Sequence, residues 1–134
     1  MKKLYISPTA STPEVNFSPE ENIFSIKGNS SPEDVRAMYY PVIEWIKYLS
    51  KSIIDGETIS YSSENPIKLT VDLEYFNSSS AKFLYDIFNE LKQLTPAGIP
   101  VRIEWHHDKE DLDMKEAGFD ISLLVEMEFQ YIQK

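Results

Sequence analysis

Residues 67–105 constrain the fold more tightly than any other part of the sequence. Residues 67–75 alternate strictly between apolar and polar side chains, which is the pattern of a half-buried β-strand. Apolar residues then recur every three or four positions from Leu84 to Leu94, as on one face of an α-helix, and residues 101–105 alternate again. A strand, a helix and a strand at this spacing predict two parallel strands joined by a crossover helix.

The joint between this strand and this helix reads Asn77-Ser78-Ser79-Ser80. A helix needs only one side-chain N-cap, which Asn77 or Ser78 could supply, so the joint carries more hydroxyl groups than capping requires. Unpaired backbone N–H groups and the helix dipole favour a negative group at this end of a helix. We therefore interpret the joint as a position suited to a phosphate, and Lys82, one turn further on, could pair with it.

Alternation also marks the other predicted strands. They comprise residues 4–6, 15–17, 23–27 and 127–131, with the first and the last expected at the edges of the sheet. Strands covered by helices on both faces would instead read as continuous apolar runs. The predicted fold class is therefore α/β, with a mixed β-sheet whose helices pack on one face, in a single domain spanning residues 1–134.

Two more helices are expected, one before and one after this central unit. Proline in a helix interior removes a hydrogen bond, so Pro41 should kink or break the first of them. A polar loop is expected over residues 57–66. The predicted boundaries are an N-cap at Ser31 with Pro32 in the first turn for the first helix, and Asp108 as N-cap, Lys109 to Ala117 as body and Gly118 as C-cap for the second.

Charge and composition narrow the function classes. The formal net charge is −9, from 22 acidic and 13 basic residues, and such a field repels nucleic acid and anionic membranes. The absence of cysteine removes disulfides, thiolate catalysis and thiolate metal sites. The N-terminal residues resemble neither a signal peptide nor a membrane span. We expect a cytoplasmic protein that interacts with other proteins and needs no cofactor.

Two enzymatic alternatives use the polar segment that follows residue 105. Ser78 could act as the nucleophile of a small hydrolase with His106 or His107 as base, since parallel strands end on the same side of a sheet. A metal-dependent enzyme would use the same histidines with nearby carboxylates, namely Glu104, Asp108, Glu110, Asp111 and Asp113. The sequence has no Gly-x-Ser-x-Gly elbow and no recognised metal-ligand spacing. An interaction domain without any switch is a third alternative.

Five short motifs, met in order along nearly the whole chain, suggest a family. They are Thr12-Pro13 with Val15 and Phe17; Gly28, Ser30, Pro32 and Glu33; Tyr39-Tyr40-Pro41-Val42 with Trp45; Tyr75-Phe76-Asn77-Ser78-Ser79-Ser80; and Gly118-Phe119 with Glu126-Met127-Glu128-Phe129. Each motif is weak alone, and the order of all five makes them specific. On these residues the chain resembles the SiaC family of bacterial regulatory phosphoproteins, whose fold is similar to the STAS-like domain of anti-sigma-factor antagonists.

The resemblance implies a non-enzymatic signalling protein. The residue after the asparagine is the family's phospho-acceptor, which implies reversible phosphorylation of Ser78, where serine replaces the family's threonine. A dedicated kinase and a phosphatase are implied partners. In the best-known system the unmodified protein binds and activates a diguanylate cyclase, which implies a role in biofilm regulation. The expected partner-binding residues are Asn77, Ser78, Ser79, Ser80 and Lys82.

Overall fold

The structure, a computed structural model, describes residues 2–56 and 61–134. The described strands form one six-stranded sheet in which sequence neighbours are also sheet neighbours. They are β1 (Leu4–Ile6), β2 (Glu14–Ser18), β3 (Ile23–Ser30), β4 (Ile67–Phe76), β5 (Val101–His107) and β6 (Phe129–Gln133). The first three strands pair antiparallel, and β3 to β6 pair parallel, so the sheet is mixed. The predicted parallel pairing of the strands around residues 67–76 and 101–105 is confirmed.

Three helices connect the four parallel strands and pack on one face of the sheet. They are α1 (Val35–Ile54), α2 (Ser78–Lys92) and α3 (Leu112–Val125). In β4 the apolar residues from Ile67 to Leu73 are buried beneath the helices, whereas the intervening Lys68 is exposed and Thr70 is half-buried. The predicted architecture, with helices on one face and a largely polar opposite face, is confirmed. No helix in the described part of the chain combines the length and apolarity needed to cross a membrane.

The end of β4 departs from the strict alternation that the sequence predicts. Gly28 pairs with Leu73 but Asn29 pairs with Tyr75, so Glu74 is an extra residue that forms a β-bulge. The bulge reverses the direction of the side chains that follow it. Tyr75, expected on the core side, is therefore 55% exposed, and Phe76 instead packs edge-on against Trp105. The bulge sets the orientation of the chain as it enters the joint.

Helix α1 begins later than predicted and is not broken. Its N-cap is Asp34, whose side chain accepts a hydrogen bond from Ala37 N at 3.1 Å. The Ser31 N–H instead donates to Ser11 O, which holds Ser31 outside the helix against the N-terminal segment. The helix continues through Pro41, although a proline in a helix interior removes one backbone hydrogen bond.

Helix α3 also differs from its predicted boundaries. It begins after Asp111, not Asp108, and it continues to Val125. Gly118 lies inside the helix, where a Cβ atom would stand 2.5 Å from Trp105 Nε1, so glycine is needed there for close packing and not to end the helix. The helix ends instead at Glu126, which has a left-handed conformation with φ of 57°.

Two other expectations need adjustment. The last strand is confirmed at the edge of the sheet, but it covers Phe129–Gln133 and begins two residues later than predicted. Of the predicted polar loop, residues 57–60 lie outside the described part of the chain. The rest of this loop includes Tyr61, which is buried and donates a hydrogen bond to Pro19 O at 2.6 Å. The loop therefore contributes an aromatic side chain to the core.

Candidate functional site

The joint between β4 and α2 is attached to the end of β3. Asn77 N donates to Ser30 O at 3.0 Å, which extends the pairing of the two strands by one residue. The Asn77 side chain is the N-cap of α2, and its Oδ1 accepts hydrogen bonds from Ser80 N at 2.9 Å and from Ser79 Oγ at 3.1 Å. Of the two N-cap candidates, Asn77 is therefore the one used. Ser78 is left as the first residue of the helix.

The three serines of the joint have different environments. Ser78 is exposed, and its hydroxyl makes no hydrogen bond with any residue in the ranges 2–56 and 61–134. Ser79 is also exposed, but its hydroxyl donates to Asn77. Ser80 is completely buried, which contradicts its inclusion among the predicted partner-binding residues. A helix turns by about 100° per residue, so two steps along the chain take a side chain from solvent to core.

A chain of buried hydrogen bonds lies beneath the joint. Ser80 Oγ donates to Ser30 O at 3.0 Å, and Ser30 Oγ donates to Ser80 Oγ at 2.8 Å. Because the Ser30 proton is used in this way, the Tyr39 hydroxyl donates to Ser30 Oγ, at 2.6 Å. Burial raises the pKa of Tyr39, although its hydrogen bonds with both serines act in the opposite direction. Tyr39 therefore stays neutral at physiological pH and ties α1 to the joint.

Sequence reasoning did not find this hydrogen-bond chain. A signal was present, since Tyr39 lies on the apolar face of α1 among residues such as Val42 and Ile46, and a hydroxyl on a core-facing position needs a partner. The partner could not be named, because Ser30 and Ser80 are 50 positions apart in the sequence. Their meeting depends on the parallel pairing of β3 with β4.

A groove of about 460 Å³ runs beside Ser78 between the joint and the start of α3. Its floor is partly apolar and includes Met114 and Ala117. Three carboxylates line it together with Ser78, namely Glu74, Asp111 and Asp113. Neither His106 nor His107 lines this groove. The surroundings of Ser78 are therefore acidic, and neither of the two histidines considered as its base is among them.

Lys82 is exposed on the outer side of α2. Its Nζ lies 2.9 Å from Oδ2 of Asp86, four residues towards the C-terminus, and 4.9 Å from the centre of the Phe83 ring. The predicted pairing of Lys82 with a phosphate at Ser78 stays a prediction. In the unmodified protein this cation is paired with Asp86.

The two histidines do not form a site with Ser78. His107 is buried on the helix-covered face, with Nδ1 2.9 Å from the carbonyl oxygen of Asp108. His106, the residue before it in β5, is half-buried and lies on the opposite face of the sheet because side chains alternate along a strand. No group of three or more histidine, aspartate or glutamate side chains in the described ranges is arranged to hold a metal ion. The structure therefore does not assemble either of the two enzymatic arrangements considered for this segment.

Fold and site together define an α/β domain whose distinguishing feature is an exposed serine held at a helix N-terminus by a buried polar network. A sequence model described as "SiaC family regulatory phosphoprotein" matches residues 6–134. The chain belongs to this family. The resemblance read from the five motifs is thereby confirmed.

Individual relatives agree with this assignment. An uncharacterized protein of Pseudomonas aeruginosa is 31% identical over 109 residues, which are 81% of this chain and 79% of the relative. The crystal structure of apo-SiaC from Pseudomonas aeruginosa superposes with a TM-score of 0.80 at 25% identity, covering 100% of this chain and 99% of that one. The crystal structure of the diguanylate cyclase SiaD with its activator SiaC, from the same organism, gives 0.82 at 25% identity, with 98% and 99% covered.

Proposed function

We propose that this chain is a non-enzymatic signalling protein whose binding to a target protein is switched by reversible phosphorylation of Ser78. The exposure of Ser78 carries the proposal. Its hydroxyl is the one in the joint that is both on the surface and without a hydrogen bond to the described residues. A phosphate at this position would lie at the positive end of the α2 dipole, which favours an anion.

The proposed target is a diguanylate cyclase. The support is the similarity to SiaC of Pseudomonas aeruginosa, which is described as the activator of the cyclase SiaD and is seen in complex with it. A Ser/Thr kinase and a phosphatase complete the set of partners, and the cytoplasm is the proposed location. The contact surface comprises Asn77, Ser78, Ser79 and Lys82, with Ser80 supporting it from below.

Phosphate at Ser78 would block the contact without unfolding the protein. A dianionic group at the centre of an interface has to be desolvated, which costs several kcal/mol unless the partner supplies cations. The carboxylates Glu74, Asp111 and Asp113 line the groove beside Ser78, so the added charge joins an already acidic surface. A loss of about 3 kcal/mol weakens binding more than a hundredfold. The unmodified protein is therefore the binding form.

Phosphopeptide mapping tests the modification site. The kinase of the protein's own host should label the wild type and the control variant Ser79→Ala at Ser78, and it should fail to label Ser78→Ala. The control is matched because Ser78 and Ser79 are adjacent and both exposed. Labelling that persists in Ser78→Ala, or that maps to Ser79, would overturn the assignment.

Calorimetric titration against the purified diguanylate cyclases of the same host tests the switch. Wild type and Ser78→Ala should bind one of them with equal affinity. The phosphoprotein should bind it at least a hundredfold more weakly. Ser78→Asp should bind with intermediate affinity, because aspartate carries one charge and fewer acceptor oxygens than phosphate. Binding by the phosphoprotein alone, or by none of the forms, would contradict the proposal.

A further inference from the structure

On the exposed side of α2, Lys82 lies between Asp86 and the proposed phosphorylation site, Ser78. Asp86, its present partner, lies four residues after it, and Ser78 lies four residues before it. Side chains at positions i and i+4 of a helix are surface neighbours, so the Lys82 ammonium can reach either of them. The Lys82 side chain is 70% exposed, so its present rotamer is favoured only by the surface contacts of its ammonium with Asp86 and the Phe83 ring.

We infer that phosphorylation of Ser78 moves the Lys82 ammonium from Asp86 to the phosphate, an inference that rests on the proposed function. Phosphoserine carries about −1.5 to −2 charges at neutral pH, against −1 for a carboxylate. A lysine also pairs more strongly with an acidic group four residues before it than with one four residues after it, and the Lys82–Asp86 pair has the weaker orientation. The phosphate is further favoured by the helix dipole, whose effect does not extend to Asp86.

At the start of α2, the move of the Lys82 ammonium from Asp86 to the phosphate partly neutralises the phosphate charge. The carboxylates that line the groove beside Ser78 oppose the phosphate dianion, and they are Glu74, Asp111 and Asp113. Among the described residues of α2, Lys82 is the cation that lies one helical turn from Ser78. Lys82 therefore favours the doubly charged form of the phosphate against these carboxylates.

Two turns away, the exchange leaves Asp86 without its present cation. Asp86 lines a second groove of about 450 Å³, between α1 and α2. The charged residues lining that groove are Glu44, Lys47, Lys82, Asp86 and Glu90. Lys47 lies 3.8 Å from Glu44, so it is already paired when Lys82 leaves. Phosphorylation of one residue thus makes the α1/α2 groove more acidic without moving the backbone.

The phosphate itself reports whether Lys82 reaches it. The chain with phosphoserine incorporated at position 78 during translation can be titrated by ³¹P NMR without any kinase or target. The second pKa of phosphoserine is about 6, and a paired cation lowers it. Lys82→Met should raise this pKa by about 0.2–0.4 pH units, as expected for an exposed i,i+4 pair. Lys47→Met, which removes the other lysine of the α1/α2 groove, should leave it unchanged. An equal pKa in wild type and Lys82→Met overturns the inference.

The Asp86 carboxylate reports whether it loses its partner. At pH 7.5, its ¹³C resonance should shift on phosphorylation of the wild type and should stay unshifted on phosphorylation of Lys82→Met. Equal shifts in the two backgrounds would show a field effect of the phosphate without exchange, and no shift in either would show that the pair is retained, so both results overturn the inference. If the NMR tests contradict the inference, target binding by the unmodified protein is unaffected. If the kinase mapping or the calorimetry fails, the proposed function is wrong whatever the NMR result.

Discussion

At the scale of single residues, the joint between β4 and α2 gives three identical side chains three different roles. The Asn77 side chain accepts the hydrogen bond from Ser80 N and so caps the helix. The Ser78 hydroxyl is therefore not needed as a cap and stays at the surface. Ser80 points inward and links β3 to α1 through Ser30 and Tyr39. The proposed acceptor position, Ser78, is thus held by hydrogen bonds that do not involve its own side chain. Modification of Ser78 therefore removes no native hydrogen bond within the described residues.

The buried polar chain can be tested by removing one hydroxyl at a time. Ser80→Ala leaves the Ser30 hydroxyl without its buried acceptor, and Tyr39→Phe removes its donor, so each should lower the free energy of unfolding by about 1–3 kcal/mol. The double variant should lose less than the sum, because the groups form one network. Urea unfolding measures all three. Ser79→Ala is the control, with an expected change within about 0.5 kcal/mol.

The helix cap provides a second test at the residue scale. Asn77→Ala removes the acceptor for Ser80 N, and a lost N-cap costs about 1 kcal/mol. Asn77→Asp keeps an oxygen in the same place and should retain most of the stability. Urea unfolding of the two variants distinguishes capping from a general intolerance of change at position 77. An equal loss in both would contradict the capping role.

At the scale of secondary-structure elements, the packing of α3 depends on one glycine. Trp105 is fully buried on β5, and its Nε1 donates to Met114 O at 2.9 Å. A Cβ on residue 118 would lie within 2.7 Å of three indole atoms. The helix can therefore approach the sheet at this point only because residue 118 has no side chain. This contact also brings Asp111 and Asp113 to the groove beside Ser78.

Gly118→Ala should consequently destabilise the protein although alanine is the better helix former. Insertion of a methyl group into a packed core costs about 1–3 kcal/mol, and here the indole cannot move without losing its hydrogen bond to Met114. Thermal unfolding followed by near-ultraviolet circular dichroism would report both the stability and the Trp105 environment. Glu116→Ala, on the exposed side of the same helix, should change stability by no more than about 0.5 kcal/mol. A fully stable Gly118→Ala protein would contradict the packing role.

Tyr61, in the loop before β4, should make the free energy of unfolding depend on pH in the alkaline range. Burial raises the pKa of Tyr61 to about 12, above the value of about 10 expected in the unfolded chain. Because the folded state holds this proton more tightly, the stabilisation is complete below pH 10 and is lost as the pH rises towards 12. Tyr61→Phe loses the hydrogen bond to Pro19 O, so it should be less stable than wild type at pH 8, and the difference should narrow above pH 10 as the wild-type hydroxyl ionises. Chemical denaturation at a series of pH values measures it, and a constant difference would contradict the assignment.

At the scale of the whole molecule, the sheet and its three helices form a support that we expect phosphorylation of Ser78 to leave unchanged. The net charge of −9 is distributed over the chain, and solvent ions screen its repulsion beyond about 10 Å at ordinary ionic strength. Phosphate adds about two negative charges at one exposed point at a dipole-positive helix end. We therefore expect the proposed switch to act through the charge of the surface and not through refolding.

Ser78→Asp should accordingly melt at nearly the wild-type temperature. We expect a change of no more than about 2 °C, because a surface substitution away from packed contacts shifts stability by at most about 0.5 kcal/mol. Differential scanning calorimetry gives the temperature, and amide NMR spectra should differ only around the joint and the facing part of α3. Spectral changes throughout the sheet would indicate refolding instead. Ser79→Asp serves as the charge-matched control.

Features that arise from local periodicity could be predicted from the sequence. Alternation over residues 67–75 and 101–105 placed helices on one face of the sheet, and the helix between these segments implied parallel pairing. The position of the joint, and Asn77 as one of its two possible caps, also followed from local preferences. The five motifs were enough for the family.

Features that depend on contacts between distant residues could not be predicted in this way. The bulge at Glu74 arises from pairing with β3, and it exposes Tyr75 and turns Phe76 inward. Ser80 is buried because Ser30 of β3 meets it, and Gly118 is internal because Trp105 lies against it. Periodicity identifies the side of an element that faces the core, but it does not identify the residues that pack against that side. Three adjacent serines therefore looked equivalent until the fold gave each a different neighbour.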